Sequence, residues 1–316
     1  MKLKTGMCRF LWHQRWINQR WKKTIYRYLD RQGEPPDAPF ATDFFGLRYE
    51  GNLNDGIEFA IFYYGAYEKP ILFFLRDAAH SMADDKGGPP ECFCDIGSNV
   101  GQHTLFMSQY VKNVHAFEPY KPVRQQLEKH LTLNGIHNVT VHGIGLGENN
   151  ELKTFYEPIG SNQGIGSFSK DSLDRGTRNS GRMKIVNGDS YLSFAGINRV
   201  NLIKIDVEGF EKPALHGLRD TLQIQRPLLV CEITYSDQLS FQSLPEFKAA
   251  LPANYDFFLF NKRNATGGID KRRGSQAKRT GAYQLVPLDR WRKEGQDDIV
   301  AIPNELLDKL PLTNSD

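Results

Sequence analysis

No run of eighteen apolar residues occurs in the 316-residue chain, so nothing in it reads as a membrane-spanning helix. Cysteine is scarce. Cys8, Cys92, Cys94 and Cys231 are the full complement, and their spacing offers neither a zinc tetrad nor a disulfide framework. Three of them lie in strand-like apolar runs, which reads as buried free thiols in a reducing cytoplasm. The opening MKLKTGMCRFLWHQRW is basic, but its apolar run breaks within a few positions, against a secretory leader. Internal repeats are absent, which excludes a solenoid or propeller.

What is present is ordinary in bulk: 40% hydrophobic and 24% charged residues, with a net charge of +3. Such a chain forms one large domain, or a domain with an extension. The net charge hides an asymmetry. Residues 1–32 hold nine Lys/Arg against Asp30 alone, a charge of +8, leaving −5 for the remainder. Residues 262–279 hold seven Lys/Arg against Asp270. The first basic segment reads as a helix from Met7 to Leu29, with Phe10, Ile17, Trp21 and Tyr28 near one face and Trp12 and Trp16 widening it. It suits either packing on its own domain, with a solvated basic face, or an anionic membrane surface or acidic partner. GEPPDAP (33–39) is a clear break. We therefore divide the chain into a basic, tryptophan-rich extension (1–43) and a main domain (44–316).

After an aromatic-rich stretch ending in a helix, the main domain alternates regularly. ECFCDIG, NVHAFEP, NVTVHGIGL, RVNLIKIDVEG and RPLLVCEIT read as strands, and YDFFLFN and DDIVAIP as two more. NVGQHTLFMSQYV, KPVRQQLEKHLTLNG (with Pro122 in its first turn) and EKPALHGLRDTLQ read as helices. The fold class is α/β, a doubly wound and mostly parallel Rossmann-like sheet. Its strands are apolar on nearly every residue because helices cover both faces.

In such a sheet, ligands bind beyond the carboxyl ends of the strands. DIGSNVG closes the first strand, with Gly97 making the sharp turn and Gly101 starting the helix close to the ligand and the strand. The spacing is G-x-x-x-G, with Ser98, Asn99 and Val100 between. A dinucleotide fingerprint, G-x-G-x-x-G, places a tighter pair for pyrophosphate, so the turn favours a nucleoside without phosphate and argues against a nicotinamide dehydrogenase. Glu118 ends the second strand 21 residues after Gly97 and can accept both ribose hydroxyls. Asp95 can meet an ammonium group, directly or through water. An amino-acid tail and a ribose without phosphate describe S-adenosyl-L-methionine.

CDIGSNVGQHTLF, VHAFEPY, NLIKIDVEGFEKPAL and PLLVCEI, in that order, resemble the FkbM-type methyltransferases, class I S-adenosylmethionine-dependent enzymes that are mostly O-methyltransferases. The likeness covers roughly residues 44–305. It implies that Asp95, Gly97, Asn99, Gly101 and Glu118 line the cofactor site, that Gly145 lies near the adenine, and that Glu68 reaches the cofactor or the acceptor. Ser98 stands where the family usually has alanine.

Methyl transfer to an alcohol needs positioning and a general base. Lys204, Asp206 and Glu208 share one parity, so they face one side if the strand stays extended. Asp206 then sits at its carboxyl end, as candidate base. A buried Lys204 needs a carboxylate partner, for which Glu232 and Glu211 are natural. An ion-pair network holding the strands is the structural alternative, and two or three carboxylates binding Mg²⁺ is another. His103 and His216 are further possible bases. GSNQGIGSFS (160–169) has the character of an acceptor loop or of a hairpin tip. The candidate catalytic residues are Asp206 and Glu208. The candidate cofactor residues are Glu68, Asp95, Gly97, Ser98, Asn99, Gly101, His103, Glu118 and Gly145. No metal is assigned. The expected reaction is O-methylation of a small molecule or glycan, in the cytoplasm or peripheral to the membrane. The alternative is a nucleic-acid-binding methyltransferase using 1–32 and 262–279 as phosphate contacts. DVEG at the fourth strand, in place of an amino-methylation motif, makes nucleic acid the less favoured partner.

Overall fold

The basic N-terminal segment folds as two helices rather than the one its periodicity predicts: α1 (Lys2–His13) and α2 (Gln19–Arg31). Asn18 accepts the Trp21 N–H at 3.1 Å and caps α2, a start signal that the apolar spacing runs straight through. Trp12, Tyr26 and Leu29 are buried. A hairpin of β1 (Pro39–Phe44) and β2 (Leu47–Asn52) leads to α3 (Gly56–Tyr64). Asp55 caps α3 by accepting the Ile57 and Glu58 N–H groups, and Gly65 ends it with a left-handed residue. Tyr26 stacks on Phe59 of α3 at 4.0 Å, which fastens the helical pair to the domain. α4 (Lys69–Ser81) follows. The computed structural model describes residues 2–158, 166, 168, 177–235, 240–261 and 281–314.

The alternation then proceeds as read: β3 (Cys92–Ile96), α5 (Gln102–Met107), β4 (Asn113–Phe117), α6 (Lys121–Leu133) and β5 (Val139–His142). NVTVHGIGL is not one strand. After His142 the chain leaves the sheet, and β6 (Gly145–Gly147) pairs with β8 (Thr177–Asn187), which pairs with β7 (Glu151–Pro158) in a separate three-stranded sheet. β8 was not read as a strand because its first half, TRNSGR, is polar. α7 (Gly188–Phe194) returns the chain to β9 (Leu202–Ile205). The next helix divides at Leu218 into α8 (Glu211–Gly217) and α9 (Arg219–Gln225). β10 (Leu228–Thr234), α10 (Leu244–Ala249), β11 (Tyr255–Phe260), β12 (Tyr283–Pro287), β13 (Gln296–Pro303), α11 (Asn304–Leu307) and β14 (Thr313–Asn314) complete the described chain.

The main sheet has the order β14-β12-β11-β13-β10-β9-β3-β4-β5. β5, β4, β3, β9 and β10 run parallel, and β13 enters antiparallel between β10 and β11. Every residue of β3 and β9 is buried. Phe93, Leu202 and Val230 pack to one side, under α4 and α5. Ile96, Ile203, Ile205 and Cys231 pack to the other, under α8 and α9. Each such apolar side chain contributes roughly 1.5–3 kcal/mol by burial. From β3 the chain moves outward to β4 on one side and later to β9 on the other. The crevice at their carboxyl ends is therefore the topological place for a ligand.

Candidate functional site

The glycine turn touches the end of β9. Gly97 adopts φ +83°, and a Cβ there would lie 1.8 Å from the carbonyl oxygen of Asp206. Asn99 is also left-handed, with φ 50°, which asparagine tolerates better than most residues. Its N–H donates to Glu118 Oε2 at 2.9 Å, and the Tyr120 N–H donates to Oε1 at 2.8 Å. Burial pushes the Glu118 carboxyl up to about 7, against the pull of these two bonds. Each oxygen keeps a further lone pair. Gly101 does not line the cavity described below. With φ +87°, it is the place where a Cβ would strike Leu127 Cδ1 at 2.3 Å, so its bareness seats α5 against α6.

A cavity of about 330 Å³ opens beside this turn. Gly97, Asn99 and Glu118 form one wall, and Asp206, Glu208 and Glu232 form another. Asp55, Ile57 and Tyr67 close a third side, and Tyr120, Val123, Phe155 and Phe168 make it apolar. The volume is at the small end of ordinary ligand pockets.

The acidic wall is organised around Lys204. This fully buried lysine donates from Nζ to Asp206 Oδ2 at 2.8 Å. Its ammonium is held above the usual lysine range because Asp206, Glu68 and Asp95 outweigh the effect of burial, the largest single influence. The expected partners, Glu232 and Glu211, are not the ones used. Residues two apart project to the same face, which brings Asp206 to Lys204 first. Glu211 instead accepts the Gly209 N–H at 2.7 Å and closes the turn after β9; burial pushes it up to about 8. β9 ends at Ile205, and Glu208 has φ +48°, so the extended parity does not continue to Glu208. It reaches the cavity through the turn, where Gln296 Nε2 donates to its Oε2 at 3.2 Å. Burial, then the Asp206 charge, pushes Glu208 up to about 7.

Glu68 approaches the same acids from a loop, although it does not itself line the cavity. Oxygens of Glu68, Asp206 and Glu232 lie within 4.8 Å of one another. Burial and the neighbouring Asp206 hold Glu232 well above the ordinary carboxylate range. Three oxygen donors of this type can hold a hard cation, but Lys204 already places a positive charge on Asp206. Glu68 itself is left-handed, at φ 47°. Gln102 fixes the preceding residue: the Tyr67 N–H donates to Gln102 Oε1 at 2.6 Å, and Gln102 Nε2 donates to the Tyr67 carbonyl at 2.9 Å.

Several expected site residues are not on the cavity wall. Asp95 is buried behind it and accepts from Thr104 Oγ1 at 2.6 Å. Burial raises its carboxyl to about 6, while Lys204 opposes. Ser98 Oγ and His103 Nε2 are buried with no hydrogen-bond partner among the described residues. Burial, then the Lys204 charge, keeps His103 well below the usual imidazole range. Gly145 lies in β6, where its nearest neighbours are Ile185 and Pro119; it backs the wall rather than forming it. His216 faces Glu148 at 3.6 Å, away from the cavity. The acceptor loop at 160–169 lies outside the described residues except for Gly166 and Phe168, which line the cavity. Basic segment 262–279 lies outside them entirely. Asp55, Tyr67, Tyr120, Phe155 and Gln296 line the cavity but were not singled out in the sequence. Two signals were available: a capping Asp ahead of a helix, and isolated aromatics in a polar excursion.

The model of the methyltransferase FkbM domain matches residues 95–259, just over half of the chain. The chain belongs to the FkbM methyltransferase family. The FkbM domain so delimited includes the glycine turn, Glu118, Asp206 and Glu232, whereas Glu68 and Gln296 join the site from outside it. Methyltransferase 1 of Beauveria bassiana is 28% identical over 143 residues, covering 40% of this chain and 57% of that protein. Hexuronic acid methyltransferase AglP of Haloferax volcanii is 30% identical over 130 residues, covering 41% and 50%. The chain thus spans about half the length of these two relatives. An FkbM methyltransferase structure from Methylobacillus flagellatus KT covers 67% of this chain and 43% of its own at 19% identity, with a TM-score of 0.39.

Proposed function

We propose that this protein transfers a methyl group from S-adenosyl-L-methionine to a hydroxyl of a small molecule or glycan. The observation that carries the reading is one cavity with two walls: a nucleoside-type turn with Glu118 on one, and Asp206 with Glu208 on the other. The donor set fits the cofactor. Glu118 offers two carboxylate oxygens, each with a lone pair to spare, which suits a ribose diol. Apolar Val123 and the Tyr120 ring suit a flat base. Among the described residues, no cluster of positive side chains lines the cavity to hold phosphates. When bound, the cofactor supplies a methyl carbon made electrophilic by its sulfonium.

The chain's own residues would orient the acceptor and take its proton. Asp206 is the candidate base, because it stands at the carboxyl end of β9 with Lys204 fixing its carboxylate. Glu208, pushed up to about 7, is matched to proton transfer near neutral pH. Charge on Asp206 raises Glu208, so a proton taken from the acceptor belongs to the pair. The relative named as a hexuronic acid methyltransferase directs the first acceptor trials to uronic acids and their glycans.

Calorimetry with S-adenosylhomocysteine tests the cofactor, with NAD as comparator. Micromolar binding to the first and none to the second is expected; the reverse would sink the reading. Asp206→Asn tests the base. It should retain S-adenosylhomocysteine binding and lose at least about a hundredfold in turnover. Retained turnover would remove Asp206 from that role.

A further inference from the structure

We propose that the helical pair α1–α2 docks on an anionic lipid bilayer through the turn that joins the two helices. Phe10 lies in the last turn of α1, Trp16 in the connection and Trp21 in the first turn of α2. These three side chains are 64%, 73% and 62% exposed. Met7, three residues before Phe10 and on the same face, is also exposed. The exposure is not a sign that the helices lack a core side. Trp12, Tyr26 and Leu29 are buried, Tyr26 stacks on Phe59, and Arg27 donates to the Tyr64 hydroxyl at 2.5 Å. The pair is anchored by one set of aromatics and presents another outward.

Charge identifies the partner. Arg15 and Arg20 flank the exposed tryptophans and make no ion pair among the described residues. Arg9 pairs with Glu34 at 2.8 Å, and Lys22 lies over the Trp12 ring. A surface of +8 over residues 1–32 repels a second copy of itself. A nucleic acid would use the arginines and could stack on the tryptophans, but it gives Met7 and Phe10 no apolar medium. A bilayer with anionic headgroups uses both: tryptophan rings seat at headgroup depth, apolar side chains enter the acyl boundary, and each basic residue gains from the surface potential. No described helix is long and apolar enough to cross the membrane, so the contact is at the surface.

Vesicle co-sedimentation tests the proposal. Phosphatidylcholine vesicles containing phosphatidylglycerol should bind the full chain at least about tenfold more tightly than pure phosphatidylcholine, and high salt should weaken the binding. Trp16→Ala with Trp21→Ala should lower binding to anionic vesicles by roughly tenfold or more. Arg15→Ser with Arg20→Ser should abolish most of the anionic preference. Unchanged circular dichroism and melting temperature in both variants would show that the fold is intact. The proposal is overturned if the full chain ignores both vesicles, if the tryptophan variant binds as well as the parent, or if RNA displaces it from vesicles. Concentration-dependent dimerisation lost in the tryptophan variant would overturn it equally.

Discussion

Replacing Glu118 with alanine should uncouple the cofactor from the protein without unfolding it. The buried carboxylate accepts two backbone N–H groups and has two lone pairs left for the ligand. Two charge-assisted hydrogen bonds of about 1.5 kcal/mol each amount to roughly 3 kcal/mol, or about a hundredfold in affinity for S-adenosylhomocysteine. The pH dependence gives a second, independent reading. Ribose hydroxyls donate to the ionised carboxylate, whereas burial places its pKa at about 7. Binding must therefore release a proton at lower pH. Affinity of the parent should be level above pH 7 and fall about tenfold per unit below it. The alanine variant should be weak and flat with pH. Calorimetry at several pH values, with the melting temperature as a control for folding, makes both measurements. A folded variant that binds within about threefold of the parent would refute the assignment. So would the same pH slope in parent and variant.

Gly97→Ala should lower stability by more than about 2 kcal/mol, because the added Cβ would meet the Asp206 carbonyl at 1.8 Å in a left-handed backbone; chemical denaturation measures it. Gln102→Leu removes both bonds to the Tyr67 backbone. It should leave S-adenosylhomocysteine affinity within about threefold while lowering turnover, since the loss falls on the loop that presents Glu68. Stability should rise as pH falls from 8 to about 6.5. Glu58, Glu118 and Glu208 are held at about 7 and Glu211 at about 8. A carboxyl raised above its unfolded value stabilises the fold when protonated, and that stability is lost as pH rises through the folded value. Below about 6.5 the buried His103 and His142, both lowered, work against the gain. Melting temperatures across this range check the sign.

The central strands and the turn were legible because burial on both faces leaves an unbroken apolar signature, and because a strand, two glycines and a distant carboxylate follow one another at fixed spacing. Asp206 was legible for the same reason, as the first acid beyond an apolar strand. Other features depend on neighbours distant in sequence. Gly101 looked like a ligand glycine, but what lies against it is Leu127, on the next helix. Lys204 has several acids within range, and only the three-dimensional arrangement selects Asp206. The break between α1 and α2 was hidden because one apolar period spans both helices. The small sheet escaped because half of β8 is polar, and with it went Phe155, whose ring reaches Tyr120 at 5.1 Å and Phe168 at 5.3 Å.

That small sheet divides the site into parts with different freedom to vary. Gly97 and Asp206 meet backbone to backbone, so the glycine turn and the end of β9 are one rigid piece, and a substitution in either is felt by both. Phe155 and Phe168 belong to an excursion that enters the main sheet's chain between β5 and β9 and carries its own strand pairing. Changes of side chain there alter the wall facing the cavity directly, and reach Glu118 and the turn after β9 through the rings of Tyr120 and Phe210. The excursion can therefore reshape the cavity while the strands of the main sheet keep their pairing.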